Sequence, residues 1–540
     1  MVRRRVGLMV MLALLTIGAL LSLLPADAGA IRLAGVSVTW WYAIVLAPAV
    51  ATVVGLVVGG APAGVRSVAL WATPALFVPV ATQIFTATPA APLVALAAML
   101  APIMARLVRA RDARSLPRPL GAGLLTGVVA LVAWANFLVV ADAARGLGGE
   151  RWHGLALAAP IALALAWRGD TEWRLPVLFA SVGLLAIAVV AVAVGTTVTP
   201  WRAWSRLASR PVVAFAESSA WVRQGRTLST PTSVTLTEAQ RMTATNTAIW
   251  RVVAGDGGGP AEFERRLAPG DSLALRSGDQ VLLPAGAGVR FESGRRVPGA
   301  PLSGVEWADA TAHSALGGLL AAAGAVFTLV GGGVALLASP ASARTPARSR
   351  VLLSASVLVI ILIAVCWGVY AADVGADLAL GGPAAAAFVR LPSVAISGAW
   401  GGALAVATAV AIIGLLMTAV TTLADRAAGA WTGGAATHHA RALRAGVVIV
   451  AAVLALVPAT AWNVLMLGLA LAAAGLGPTL VDAPPPVRLI ASVTGSLAVV
   501  SLALADSWLA PTAPVLSVHP ALLAVPLAAG AGWIAGGRRH

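Results

Sequence analysis

The chain has 540 residues, 59% of them hydrophobic and 11% charged, with a mean hydropathy of +0.90. A water-soluble globular chain carries about 25% charged residues, so this composition excludes a soluble fold and specifies a polytopic membrane protein. All 37 basic residues are arginine and the net charge is +16; the arginines lie mostly in loops between apolar runs, where they orient a chain in a bilayer, so no nucleic-acid partner is expected.

Apolar runs near 6–24, 38–59, 66–86, 91–108, 121–142, 154–168, 176–198, 313–338, 351–371, 393–423, 445–462, 464–481, 487–506 and 513–536 predict about fourteen membrane-spanning helices. The first follows Arg3, Arg4 and Arg5 and precedes Ala26-Asp27-Ala28, in the manner of a signal peptide. Its apolar stretch exceeds the usual core of about 7–15 residues, so a retained first helix is expected. With the N-terminus inside, the inner segments hold twenty arginines and the short outer loops four: Arg32, Arg145, Arg151 and Arg390. That asymmetry predicts cytoplasmic termini. The alanine- and arginine-rich composition points to a GC-rich bacterial genome and hence to the bacterial inner membrane.

The expected organisation is a membrane domain over 1–198, an interfacial helix and linker over 199–232, a β-rich extracytoplasmic domain over 233–312, and a second membrane domain over 313–540. Trp201 and Trp204 alternate with Arg202 and Arg206, which suits a helix at the headgroup level. From Ser233 the pattern changes to short alternating runs punctuated by Pro, Gly and Asp, which predicts an all-β domain of six to eight strands. Seven spans precede this domain and seven follow it, which would invert one half relative to the other. No residue pattern repeats between the halves, so the equal count is read as coincidence.

Within the β-rich segment, "GDQVLLPAGAGVRFE" places Gly278, Pro284 and Gly286 at the spacing of the second motif of the cupin family, which it resembles. The resemblance implies a barrel or jelly-roll fold; a generic β-sandwich is the alternative. The histidine of that motif is replaced by Val289, and no histidine lies between His153 and His313, so the usual cupin metal site is not expected. Trp201, Trp204, Pro284, Gly286 and Val289 are the candidate docking residues.

Ionisable groups are scarce within the spans. Asp142 and Asp506 fall at predicted outer ends and His313 starts a span. Gln83, Asn136 and His519 are the candidate polar contacts inside the membrane. This disfavours proton coupling. The single cysteine, Cys366, excludes an internal disulfide, and the absence of lysine excludes a phosphate-binding loop. His438 and His439 read as a solvated loop pair, and Trp40, Trp41, Tyr42 and Trp152 as an aromatic belt. No catalytic residue, cofactor or metal is expected.

Three functions fit the sequence. The first is a non-catalytic subunit that anchors or organises a larger membrane complex, its β-domain a docking module and its partners lipids and other subunits. The second is a permease for an apolar or amphipathic cargo such as lipid, with Arg106 to Arg118 as a coupling loop. The third is an enzyme acting on a lipid-linked substrate, with Asp373 and Asp377 as its acids.

Overall fold

The computed structural model describes residues 2–23, 31–58, 71–85, 91–108, 116–209, 214–215, 220–223, 226–228, 231–236, 238–255, 262–298, 315–337, 347–375, 378, 380, 384–433, 437–457, 459–481, 483–505 and 519–537. It is a multi-pass helical protein. Among the described residues, eight helices are long and apolar enough to cross a membrane, and five shorter apolar helices accompany them.

The first helices are α1 (Val2–Leu23) and α2, which runs from Val38–Trp41 through a π-turn at Tyr42–Leu46 into Ala47–Val58. A short hairpin, β1 (Arg32–Leu33) and β2 (Val36–Ser37), precedes α2. There follow α3 (Pro74–Phe85), α4 (Ala91–Leu107), α5 (Arg118–Gly146), α6 (Arg151–Arg168), α7 (Arg174–Thr196) and the amphipathic α8 (Pro200–Ala208). After the β-sheet region come α9 (Ala315–Leu337), α10 (Ala347–Val374), α11 (Ala384–Ala395), α12 (Ala399–Thr432) and α13 (His438–Leu454). The last are α14, which is Ala461–Leu471 continued by a π-turn Ala472–Leu476 and a 3-10 turn Gly477–Leu480, then α15 (Pro485–Leu504) and α16 (Ala521–Gly537).

Local chemistry sets several ends. Thr199 caps α8 by accepting from the Arg202 amide, with Pro200 at its first position. Glu150 and His153 close a reciprocal capping box on α6, and Gly169 ends it with φ +70°. Gly433 ends α12 in the same left-handed conformation.

Two spans differ from their expected form. In the run expected to cross over 66–86, Trp71 is helical, the helix breaks at Ala72–Thr73 and resumes at Pro74, and residues 66–70 lie outside the described residues. The run expected over 393–423 breaks at Ile396–Gly398. Its first part belongs to the twelve-residue α11, too short to cross about 30 Å of hydrocarbon. Its second part is the 34-residue α12, about 50 Å long at 1.5 Å per residue. Gly398 takes φ +82° at the break.

Among the described residues, the β-sheet region has eight strands: β3 (Arg226–Thr227), β4 (Thr232–Thr235), β5 (Gln240–Ala244), β6 (Ala248–Val253), β7 (Glu262–Leu267), β8 (Ser272–Leu275), β9 (Gln280–Leu283) and β10 (Gly288–Phe291). They form two antiparallel four-stranded sheets, ordered β3-β10-β5-β8 and β4-β9-β6-β7. Eight strands shared in this way make a jelly-roll arrangement. Trp221, Trp250, Met242, Val289 and Phe291 fill its core, and Leu380, just before α11, joins that core from the helical part. Gly278 and Gly286 take φ of +90° and +81° in the turns before β9 and β10, conformations that suit glycine.

The helical part contains an internal repeat. Helix α13 starts 287 positions after α6, and α14 starts 287 positions after α7. Equivalent neighbours recur: α7 packs on α12 as α14 packs on α5, and α5 on α13 as α12 on α6. Helices α5 and α6 also pack on their own equivalents α12 and α13. The start of α5 meets the end of α12, where Arg118 donates to the Trp431 carbonyl at 3.0 Å. The two helices are therefore antiparallel, and the repeats α5–α7 and α12–α14 are inverted. Helices α3 and α10 both end on the side of the β-sheet region and so run parallel, and they approach closely: a Cβ on Gly368 would lie 2.7 Å from the Ala81 carbonyl oxygen. Helices α3, α4, α10 and α11 stand outside this symmetry. Helix α4 packs on α9, whereas α11 packs on α5 and α12.

Candidate functional site

The seam between α7 and α12 joins the two repeats. Its far end, away from the β-sheet region, is held by charge. Arg174 at the start of α7 lies 2.6 Å from Asp425 of α12, and Nε of Arg444 of α13 lies 3.5 Å from the other carboxylate oxygen. Arg174 is only 3% exposed. It also donates to the Thr422 hydroxyl and the Thr421 carbonyl, each at 3.5 Å. Arg444 reaches on to the carbonyl of Ala166 near the end of α6 at 3.4 Å. One carboxylate thus ties four helices together. Midway, Gly414 allows close approach to Ser181 and Val177 of α7. Gly127, its equivalent 287 positions earlier, faces Leu471 of α14.

The β-side end of the same seam is open and apolar. Ala186, Ile187, Val190, Ala191, Val194 and Gly195 of α7 face Ile396, Trp400 and Leu404 across a groove of about 540 Å³. Behind it, Trp367, Tyr370, Phe388 and Thr408 close a cavity of about 10 Å³, room for about one water. The seam is therefore closed in its middle.

Above the groove, α8 lies across the ends of α10 and α2. Arg206 grips Asp373 with two hydrogen bonds, Nε to Oδ1 at 3.0 Å and a second to Oδ2. Hydrogen bonding to Asp373 raises the Arg206 pKa. Asp373 is thereby engaged as an anchor, and Asp377 lies outside the described residues.

The candidate residues fall in different places. Trp204 is 2% exposed, edge-on to Trp40, and Val289 is 0% exposed. Neither offers a docking surface, which corrects that expectation: Trp204 sits on the inward face of an amphipathic helix, and Val289 points into the sheet sandwich. Trp201 is partly exposed and stacks on Trp41, while Pro284 and Gly286 are exposed at a turn. Trp40 and Tyr42 are buried where an aromatic belt was expected to face lipid headgroups.

Asn136 is fully buried, donates to the Val132 carbonyl and accepts from the Ala75 amide at 3.1 Å. It therefore caps the N-terminus of α3 from the side of α5, in the role a local Ser or Asp would play. Gln83 is half-buried in α3. His519 is buried beside Gly324 of α9, and among the described residues its Nδ1 has no hydrogen-bond partner. His313 and Asp506 lie outside the described residues.

The Arg174–Asp425–Arg444 cluster escaped the sequence reading. Its partners are 251 and 19 positions from Asp425, so no local motif marks them. The one available signal was a lone acid in "TTLADRAAG", beyond the expected end of a span that in fact continues to Thr432. Among the described residues, no group of three metal-ligating side chains occurs.

No family model, no curated protein and no solved structure matches this chain.

Proposed function

We propose that the protein is a permease that moves a lipid or another amphipathic molecule between the two leaflets of a bilayer. The inverted repeat carries this reading. Two antiparallel copies of one helical unit can exchange conformations, which opens one end of their interface while the other closes. The seam between α7 and α12 has the required asymmetry, clamped by charge at one end and grooved at the other. The described acids of the helical part lie at or near helix ends or in loops, so nothing in the middle of the spans supplies a carrier for a coupling ion. The proposed movement is therefore passive, down a lipid gradient.

In this reading the fourteen crossings, with α11 not counted among them, leave both termini in the cytoplasm. The β-sheet region then stands on the outer side of a bacterial inner membrane, as the arginine distribution favours. The test is a vesicle assay with a fluorescent phospholipid and a membrane-impermeant quencher. Protein-free vesicles keep about half the label protected, the inner-leaflet share. Vesicles holding the purified protein should lose nearly all of it. Protection equal to that of empty vesicles would reject the reading.

A second reading, a subunit that anchors a larger complex, rests on the exposed apolar faces of α15 and α16, which include Leu497, Leu504 and Trp533. Stoichiometric co-purification with other membrane subunits would favour it.

A further inference from the structure

We propose that Leu380 is a peg through which the β-sheet region restrains α11, and with it the β-side end of the α7–α12 seam. The inference rests on the exchange of the two repeats and names what holds that exchange back. Leu380 is 7% exposed, and of the described residues in the helical part it alone joins the core of the sheets. Leu378, two positions earlier, belongs instead to the core of the helices. The chain thus passes from one core to the other within two residues.

The β-sheet region is fixed at a second point. Tyr370 of α10 donates to the Val198 carbonyl, at the corner between α7 and α8, at 2.7 Å. One turn on, Asp373 takes the two hydrogen bonds from Arg206 of α8. The entry to the sheets is therefore tied to the end of α10, and their core grips the chain seven positions beyond Asp373. Leu380 precedes α11 by four positions, at most about 14 Å of extended chain. A shift of α11 beyond that slack draws the peg from its core. Burial of one leucine side chain is worth about 10- to 100-fold in such an equilibrium.

The other end of α11 reaches the groove. Ile396, just after α11, lies against α7: a Cβ on Gly195 would stand 2.6 Å from its Cγ1. Ile396 and Trp400 line the groove opposite α7. Gly398 stands between them with φ +82°, and a Cβ there would meet nothing within 4 Å. The backbone can therefore turn at this point without dragging α12. Helix α11 is thus held by the sheets at one end and bears on the seam at the other. Closing of the β-side end, which the exchange demands, moves Ile396 and pulls on Leu380.

The test uses the full-length protein in lipid nanodiscs, with Cys366→Ala as background and spin labels on Thr197 and Ser397 at the β-side end of the seam. Leu380→Ala should broaden the distance distribution and shift it toward shorter values. Leu380→Met, which nearly conserves volume, should keep the parent distribution. Leu283→Ala is the control, because Leu283 of β9 is buried in the same core, and it should leave the distance unchanged. A distribution unaltered by Leu380→Ala would overturn the proposal. An equal change from Leu283→Ala would also overturn it, because any loosening of the sheets would then suffice. The labels read conformation and not movement. A shift on Leu380→Ala in a protein that does not equilibrate lipid would reject the permease reading and leave the peg standing. Lipid equilibration with a distance indifferent to Leu380→Ala would do the reverse.

Discussion

Replacing Asp425 with Asn is expected to lower the thermal unfolding midpoint of the purified protein sharply. Arg174 is almost wholly buried, and Asp425 is the carboxylate that balances it. Removing one member of a buried ion pair leaves an uncompensated charge and costs about 3–5 kcal/mol. Arg444 makes the loss worse, because two guanidinium groups then face each other across α12 without the acid between them. Replacing both charges with apolar residues, Asp425→Leu with Arg174→Met, should recover most of the loss, since a buried pair is seldom more stable than a well-packed apolar one. A midpoint unchanged by Asp425→Asn, or a double variant no better than the single one, would show that the cluster does not hold the far end of the seam. The same pair should control conformation as well as stability. Without it, the far ends of α7 and α12 are free to part.

The second large effect is expected where α3 and α10 approach each other. A Cβ at Gly368 meets the Ala81 carbonyl oxygen at 2.7 Å and the Ile84 Cβ at 2.8 Å. The first is backbone, and it cannot rotate away. Gly368→Val should therefore push α3 and α10 apart, and overpacking of this kind costs about 1–3 kcal/mol. Gly402→Val in α12 is the matched control, because a Cβ there meets nothing within 4 Å. Folded yield and midpoint in detergent should fall for the first and hold for the second. Equal behaviour of the two variants would remove Gly368 and Ala81 as a tight contact between α3 and α10.

The sequence carried the class of the protein and lost its internal symmetry, and the two outcomes share a cause. A bilayer asks only for apolar residues, so the positions of α7 and α14 are filled by interchangeable Ala, Val, Leu and Ile. What the repeats keep is close approach at small residues. Gly127 and Gly414 are equivalent, as are Gly146 and Gly433, which close α5 and α12. A few shared glycines among 56 cannot be distinguished from chance without the helix starts. The broken spans were hidden for a related reason. Hydropathy sees "LPSVAISGAW" as one apolar stretch, and only the left-handed Gly398 marks the point where α11 stops and α12 begins. The strands were more legible. Alternation set their faces, and the turn glycines Gly278 and Gly286 stood where the motif placed them. Val289 is buried although the motif singled it out, because that motif reports fold and not exposure.

Spin-label distances across the α7–α12 seam test the exchange of the two repeats most directly. Cys366 is the sole cysteine, so Cys366→Ala gives a clean background. One pair of labels, on Thr197 and Ser397, reads the β-side end, and a second, on Glu172 and Thr432, reads the far end. In lipid nanodiscs, Asp425→Asn should lengthen the far-end distance and shorten the β-side one. Two distances that stay fixed, or that change in the same direction, would contradict a permease built on inverted repeats.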